Sequence, residues 1–250
     1  MADRFGHPAF DSVRPWLEKL SDPLHASHEE LNRLAEEAGV QAACGAPVRF
    51  VAPRKKPARY GEYELQIHAT GCVPTRPGNL HDLFNALAWL AFPRTKAALN
   101  ARHAEAIPRE HGRRGPLRDL LTLLDEGGAL VTCSEPGLVA LLRARDWRAL
   151  FWQRRASAAS SLRVQVLGHA VLEQALDPWP GITCKALILP PEQDADGLAA
   201  HCVRELPEHA APRDLPPFPV FGLPGWWPRQ DEAFYADERY FRPAEAPSRG

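Results

Sequence analysis

The chain is poor in the features that usually announce a function. Its five cysteines, Cys44, Cys72, Cys133, Cys184 and Cys202, are odd in number, scattered and without a CxxC pair. That spacing excludes a disulfide scaffold and a Cys-rich zinc site, and fits reduced thiols in a cytosol. No apolar run approaches the ~18 residues that a bilayer span requires. The opening MADRFGHPAFDSVRPW lacks the apolar stretch of a secretory signal, so a cytoplasmic protein without membrane contact is expected. Net charge is only −1, too little for a global field that would drive the chain onto nucleic acid. There is no Gly-rich phosphate loop, no GxSxG elbow, no HExxH and no zinc-finger spacing, which removes support from most large enzyme classes.

Asparagine and lysine are scarce as well. Arg outnumbers Lys by 25 to 5, and the chain is loaded with Ala, Pro and Leu, the skew of a GC-rich genome. Against that drift, the stretch NLHDLFNALAWLAFPRTKAALN (residues 79–100) holds Asn79, Asn85 and Asn100, three of the four asparagines, together with Lys96. Residues that resist a compositional drift and cluster point to chemical need.

The 45% hydrophobic content is enough to bury a full core. Ser27 and Glu30 have capping-box spacing ahead of an apolar stripe, predicting a helix over residues 28–38 that stops at Gly39. Residues 48–51 and 60–68 read as strands, the second presenting Tyr63, Leu65 and Ile67 on one face, with the basic residues 53–59 connecting them. Asn79 caps a helix that runs to about Phe92, where Pro93 ends it, and Thr95 can cap a second helix lasting to about His103. Residues 104–115 are polar, basic and Gly/Pro-marked, which predicts a loop. A third helix opens at Pro116 and ends at the Gly127-Gly128 pair. A short strand over 129–133, helices over 136–144 and 147–155 capped by Ser134 and Asp146, a segment over 162–176 whose first residues alternate but whose length and Ala content favour a helix, a strand over 182–189 and a helix over 195–205 follow. The expected fold class is α+β, mostly helical with a small sheet, with residues 1–206 as the core. Residues 207–250 pack prolines among aromatics and predict a C-terminal strap laid over that core.

Helical spacing turns the Asn/Lys cluster into geometry. His81 and Asn85 stand at i and i+4, with Asp82 beside them, and Lys96, Asn100 and His103 share a stripe on the next helix. If the Phe92-Pro93-Arg94 turn makes an αα-hairpin, the two stripes face one cleft. A histidine, an acid, amides and a lysine are the inventory for moving a proton and holding an anionic or carbonyl group. His81 is the candidate general base or acid, Asp82 its orienter, and Lys96 with Arg118 the anion clamps. Asp125 joins the catalytic candidates because it ends the third helix, where the macrodipole disfavours negative charge. Asn85, Asn100 and His103 are the remaining ligand-binding candidates. His169 and Glu173, also at i and i+4, form with His81, Asp82 and Asp125 a weak N/O ligand set, and no metal is assigned from it. Cofactors and oligomeric state stay open. Bland readings stand beside these: Asn79 and Asp82 serve any helix start, and Asn85 can belong to a buried network that only fixes helix arrangement.

The strings HDLFNALAWLAFPRTKAALN, RGPLRDLLTLLDEGG, LGHAVLEQAL, GITCKALIL and LPPFPVFGLPGWW, in that order between Pro8 and Pro243, carry a resemblance. The chain resembles a family of uncharacterised proteobacterial proteins grouped as a domain of unknown function. Many relatives are expected to place an aromatic where this chain has Leu80. The resemblance implies a bacterial, cytoplasmic, single-domain protein and brings no activity or catalytic residues with it.

Two functional expectations follow. The leading one is an enzyme doing acid–base or hydrolytic chemistry on a small anionic or phosphorylated ligand. The alternative is a non-catalytic module that binds nucleic acid or an acidic partner through the basic 94–118 segment, which carries seven Lys/Arg against two Glu.

Overall fold

Ser27 accepts the backbone N–H of Glu30 while the Glu30 carboxylate accepts that of Ser27, so the helix His28–Glu37 starts on a complete capping box. Asn79 does half of the same work for Leu80–Ala91 by accepting from the Asp82 N–H. The computed structural model of the protein describes residues 4–54, 60–191 and 193–244; residues 55–59 of the basic connection lie outside the described residues. In chain order the α-helices are α1 (Arg14–Leu17), α2 (His28–Glu37), α3 (Glu62–Thr70), α4 (Leu80–Ala91), α5 (Pro93–Ala106), α6 (Pro116–Gly127), α7 (Pro136–Ala144), α8 (Arg155–Ser161), α9 (His169–Gln174), α10 (Ala195–Arg204) and α11 (Glu232–Tyr235). The strands are β1 (Arg49–Val51), β2 (Cys72–Pro74), β3 (Gly128–Cys133), β4 (Leu162–Val166), β5 (Thr183–Leu189) and β6 (Pro217–Pro219). The fold is α+β and mostly helical, and no helix among the described residues is long and apolar enough to cross a membrane.

One sheet is a parallel pair, β1 with β2; the other has the order β4-β3-β5-β6. In the larger sheet β3 runs parallel to β5 and antiparallel to β4, and β5 runs antiparallel to β6. The sheet divides the core by residue parity. Ala129 and Val131 of β3 and Cys184 and Ala186 of β5 join one apolar cluster, while Leu130, Leu187 and Leu189 join the other. Strands covered on both faces read as continuous apolar runs, and GALVTC does. Full burial of each large side chain here, Phe84, Leu87 and Leu90 of α4 among them, contributes roughly 1.5–3 kcal/mol.

Several sequence expectations need correction. Residues 60–68 are not a strand: α3 occupies most of them, because Gly61 and Gly71 both adopt φ of 70° and bound a helix. The alternation of Tyr63, Leu65 and Ile67 misled, since only Ile67 is buried. The helix expected over 162–176 is two elements; LRVQV alternates as the edge strand β4, and Gly168 separates it from α9. α4 ends at Ala91 with Phe92 as its C-cap, as Pro93 led one to expect, but Pro93 and not Thr95 opens α5, at the first position where a missing N–H costs nothing. α5 then runs through Ala106, well into the expected loop. Thr95 does not cap it; its hydroxyl and N–H both bond the Asp196 carboxylate at the head of α10. Asp146 does cap its segment, but Ser134 does not, and a π-turn at Ala149–Gln153 splits that helix from α8.

The C-terminal residues carry core weight. Phe218 and Phe221 are fully buried in the larger cluster, Phe218 packing edge-on against Trp147 and Phe151. α5 lies along α10 and against α3, while α4 and α6 both pack on α9. That last arrangement gathers the polar residues.

Candidate functional site

Gly168 lets two chain segments cross, and Gly128 lets the chain turn tightly past the end of its own helix. A Cβ on Gly168 would lie 2.6 Å from the Glu126 carbonyl oxygen and 2.6 Å from the Gly128 nitrogen, and one on Gly128 would lie 2.2 Å from the Leu124 carbonyl. Real Cβ atoms do not come so close to backbone, so these positions need glycine for space and not for unusual φ. The crossing is pinned by Leu167 and Gly168, whose N–H groups both donate to the Gly128 carbonyl. Through it, the C-terminal turn of α6 (Asp125, Glu126) meets the first residue of α9 (His169), and α9 in turn faces the first turn of α4 (His81).

At that meeting point the imidazoles of His81 and His169 face each other edge to plane, with Nε2 atoms 3.2 Å apart. The Glu126 Oε2 lies 3.7 Å from the first and 3.5 Å from the second. The other nitrogen of His81, Nδ1, is 3.1 Å from the Glu173 carboxylate, one turn along α9 from His169. His81, Glu126 and Glu173 are 34%, 40% and 42% exposed in their side chains, so the group opens to solvent on one side. His169 forms its buried floor. Burial drives the His169 pKa down to about 4, and it raises that of Glu126.

Behind this mouth runs a buried polar network. Lys96 donates to Asn85 Oδ1 at 2.8 Å and to the Asp125 carboxylate, and Asn85 donates on to the Tyr63 hydroxyl at 3.0 Å. Burial alone would raise the Asp125 carboxyl, but Lys96 and then His169 hold it below the usual carboxylate range. The second oxygen of Asp125 points towards His169 Nδ1 at 4.0 Å. Asn100, one turn beyond Lys96, donates to the Glu64 carboxylate at 2.7 Å. Each polar residue on the inner stripe of α5 therefore has its own partner.

The structure brings His81, Asn85, Lys96 and Asp125 into one connected cluster, but the roles differ from those expected. Asp82 does not orient His81; its carboxylate is taken by the backbone and guanidinium of Arg76 at 2.7–2.9 Å, and Glu173 meets the His81 ring. Lys96 and Arg118 are not free anion clamps, because both are buried and ion-paired. His103 and Arg118 form a neighbouring group: Arg118 donates to His103 Nδ1 at 3.0 Å and to the Tyr60 hydroxyl and Glu110 carboxylate at 2.9 Å each. Among the weak metal set, Glu173 faces the wrong nitrogen of His81 to share an ion with His169. Glu126, which does face both, was legible only as an acid placed against its helix dipole.

Among the described residues, six of the seven cations of the basic segment have acidic partners, Arg113 being the exception. Arg94 pairs with Asp194 and Asp196, Arg102 with Glu105, Arg109 with Glu208, Arg114 with Asp119, and Lys96 and Arg118 as above. Cations answered by local carboxylates do not sum to an anion-binding face. An open cleft of about 730 Å³ elsewhere, lined by Arg145, Trp147, Trp179 and Tyr240 among others, includes none of the site residues.

Residues 48–245 match the model of a family described as "Protein of unknown function (DUF3025)", a span that contains every residue of the cluster. No curated protein and no solved structure matches the chain.

Proposed function

The chain belongs to the DUF3025 family, whose description assigns no reaction, and we propose from the geometry that it is an enzyme performing acid–base, hydrolytic chemistry on a small ligand. The reacting face is His81, His169 and Glu126, with Glu173 positioning His81 and the Lys96–Asp125–Asn85 network fixing the floor. One observation carries the reading: two imidazoles and a carboxylate converge within 3.2–3.7 Å at a solvent opening, and the outward imidazole has a carboxylate on its far nitrogen. A ring held by a carboxylate at Nδ1 presents Nε2 in the tautomer that accepts a proton, the arrangement of a general base with its orienter. In hydrolysis the water's proton would pass to that base as its oxygen attacks, and return to the leaving group. Buried ion pairs behind the mouth make it rigid without taking part.

The mouth itself is rich in carboxylates, so an anionic substrate needs a positive group that Lys96 and Arg118, already paired, do not supply. The test is a turnover panel of phosphomonoesters, carboxylic esters and amides with wild type, His81→Ala and Asp82→Asn. A substrate whose kcat/KM falls by about 100-fold or more in His81→Ala and little in Asp82→Asn supports the reading. Turnover indifferent to His81→Ala for every active substrate would end it.

A further inference from the structure

Three ligand-type atoms that face one another at 3.2, 3.5 and 3.7 Å have the spacing of one face of a coordination polyhedron. A tetrahedral ion with ligand bonds of about 2.0–2.2 Å sets neighbouring ligand atoms roughly 3.4 Å apart. We propose that His81 Nε2, His169 Nε2 and Glu126 Oε2 bind a divalent first-row transition metal, with Zn²⁺ as the reference ion.

Proton accounting points the same way. The Glu173 carboxylate can only accept from His81 Nδ1, so that nitrogen carries the proton and Nε2 presents a lone pair. His169 Nδ1 is buried without a hydrogen-bond partner and looks towards Asp125 Oδ2 at 4.0 Å. With its proton on Nδ1, aimed at that carboxylate, His169 Nε2 is a lone pair too. Two lone pairs and a carboxylate oxygen converging on one point repel one another unless a cation sits between them. The opposite tautomer gives an ordinary bond between the two rings but leaves His169 Nδ1 with nothing to offer Asp125.

The donor set selects the ion. Two imidazoles and one carboxylate suit zinc and iron-type cations, whereas calcium and magnesium take oxygen ligands throughout. Three protein ligands with a solvent-open side match centres that keep a water in the remaining position, not closed structural sites. Glu173, 3.1 Å behind His81, is the outer carboxylate that commonly orients a metal-bound imidazole, and Asp125, fixed by Lys96, stands 4.0 Å behind His169 as an electrostatic neighbour. The inference rests on the reading of this cluster as a hydrolytic site and changes one role within it: with an ion bound, the His81 Nε2 lone pair holds the metal instead of accepting a proton, an ion-bound water would supply the nucleophile, and the ion provides the positive charge that the mouth lacks for an anionic substrate.

The full-length protein, stripped with a chelator, is titrated with Zn²⁺ by calorimetry, with Co²⁺ and Fe²⁺ in parallel to distinguish the preferred ion. One ion per chain is expected. Glu126→Gln and His81→Ala should weaken binding by more than about 100-fold, and Glu173→Gln by about 10–100-fold. Asp82→Asn, occupied by Arg76, should leave it unchanged. Glu126 is partly exposed, so its variant carries the test even where His169→Ala fails to fold. No saturable binding by wild type, or affinity unmoved by both Glu126→Gln and His81→Ala, overturns the site. Turnover that persists after chelation without any bound ion removes the metal and leaves the imidazole-base reading. Tight binding with no turnover of any panel substrate does the reverse.

Discussion

His103 illustrates how far a single buried side chain can couple folding to pH. Burial and the nearby Arg118, Arg114 and Lys96 push its pKa down to about 4 from 6.5, against an opposing pull from Asp125. As pH falls through 6.5 the unfolded chain takes up this proton and the folded one does not, so stability is complete above about 6.5 and declines towards 4. The full effect is on the order of 3 kcal/mol. Urea unfolding from pH 7 to 4 should show this decline, and His103→Gln should flatten it by about one proton's worth of slope. His169 keeps its own share in both proteins, so the difference isolates His103. Lys96 tells the complementary story. Its scarcity in an Arg-rich chain marked it, and the structure gives a reason arginine would not serve: a compact ammonium fits between Asn85 and Asp125, beside the Trp89 ring. Asn85 was legible for the same reason, being an amide amid apolar helix neighbours. Glu126 was far less so, because a glutamate on a helix end is usually a surface residue and only the tertiary crossing brings it to His81 and His169.

Among the elements, the crossing of Gly127-Gly128 with Gly168 decides whether the site exists. Gly168→Ala places a methyl 2.6–2.7 Å from three backbone atoms and forces the α6 end and the α9 start apart. Its cost should be roughly 1–3 kcal/mol by chemical denaturation. An imidazole shift read by NMR at His81 or His169 should move with it, whereas Gly137→Ala, with open space around its Cβ, should leave both unchanged. Sequence patterns found α2, α4, α6, α10, β3 and β5 because caps, prolines and apolar periods there agree with the final packing. They failed at α3, where alternation came from residues that the fold leaves exposed, and at β4–α9, where one glycine separates a strand from a helix without any polar break. The Gly127-Gly128 pair was read as a stop signal, which it is; the need for glycine at 168, where the chain passes against residues 126–128, has no local signature.

For the molecule as a whole, the sheet is the common wall of two apolar clusters, and the proline-rich end of the chain enters both, Ala210 and Leu215 in one and Phe218 and Phe221 in the other. Phe218 is fully buried against Trp147 and Phe151. Phe218→Ala should therefore cost about 3–5 kcal/mol, read as a lower urea midpoint of the single transition. A tail merely attached to a finished core would lose only a few tenths. The aromatic content of that segment made its packing foreseeable; its edge strand β6 was not, since three prolines precede and bound Phe218 and only the register with β5 admits them. The site spans the same long distances: His81 meets its partners 88 and 92 residues away. Such pairs close late, after the chain has already met most of its loop entropy. During synthesis, α4 and α5 leave the ribosome long before α9 does, so His81 is made before His169 and Glu173, and Lys96 before Asp125. Lys96 can meet Asn85 at once, but its charge is answered only when α6 brings Asp125, and the apolar faces of α4 and α5, which belong to different clusters, are fully covered only when β3, α9 and α10 arrive.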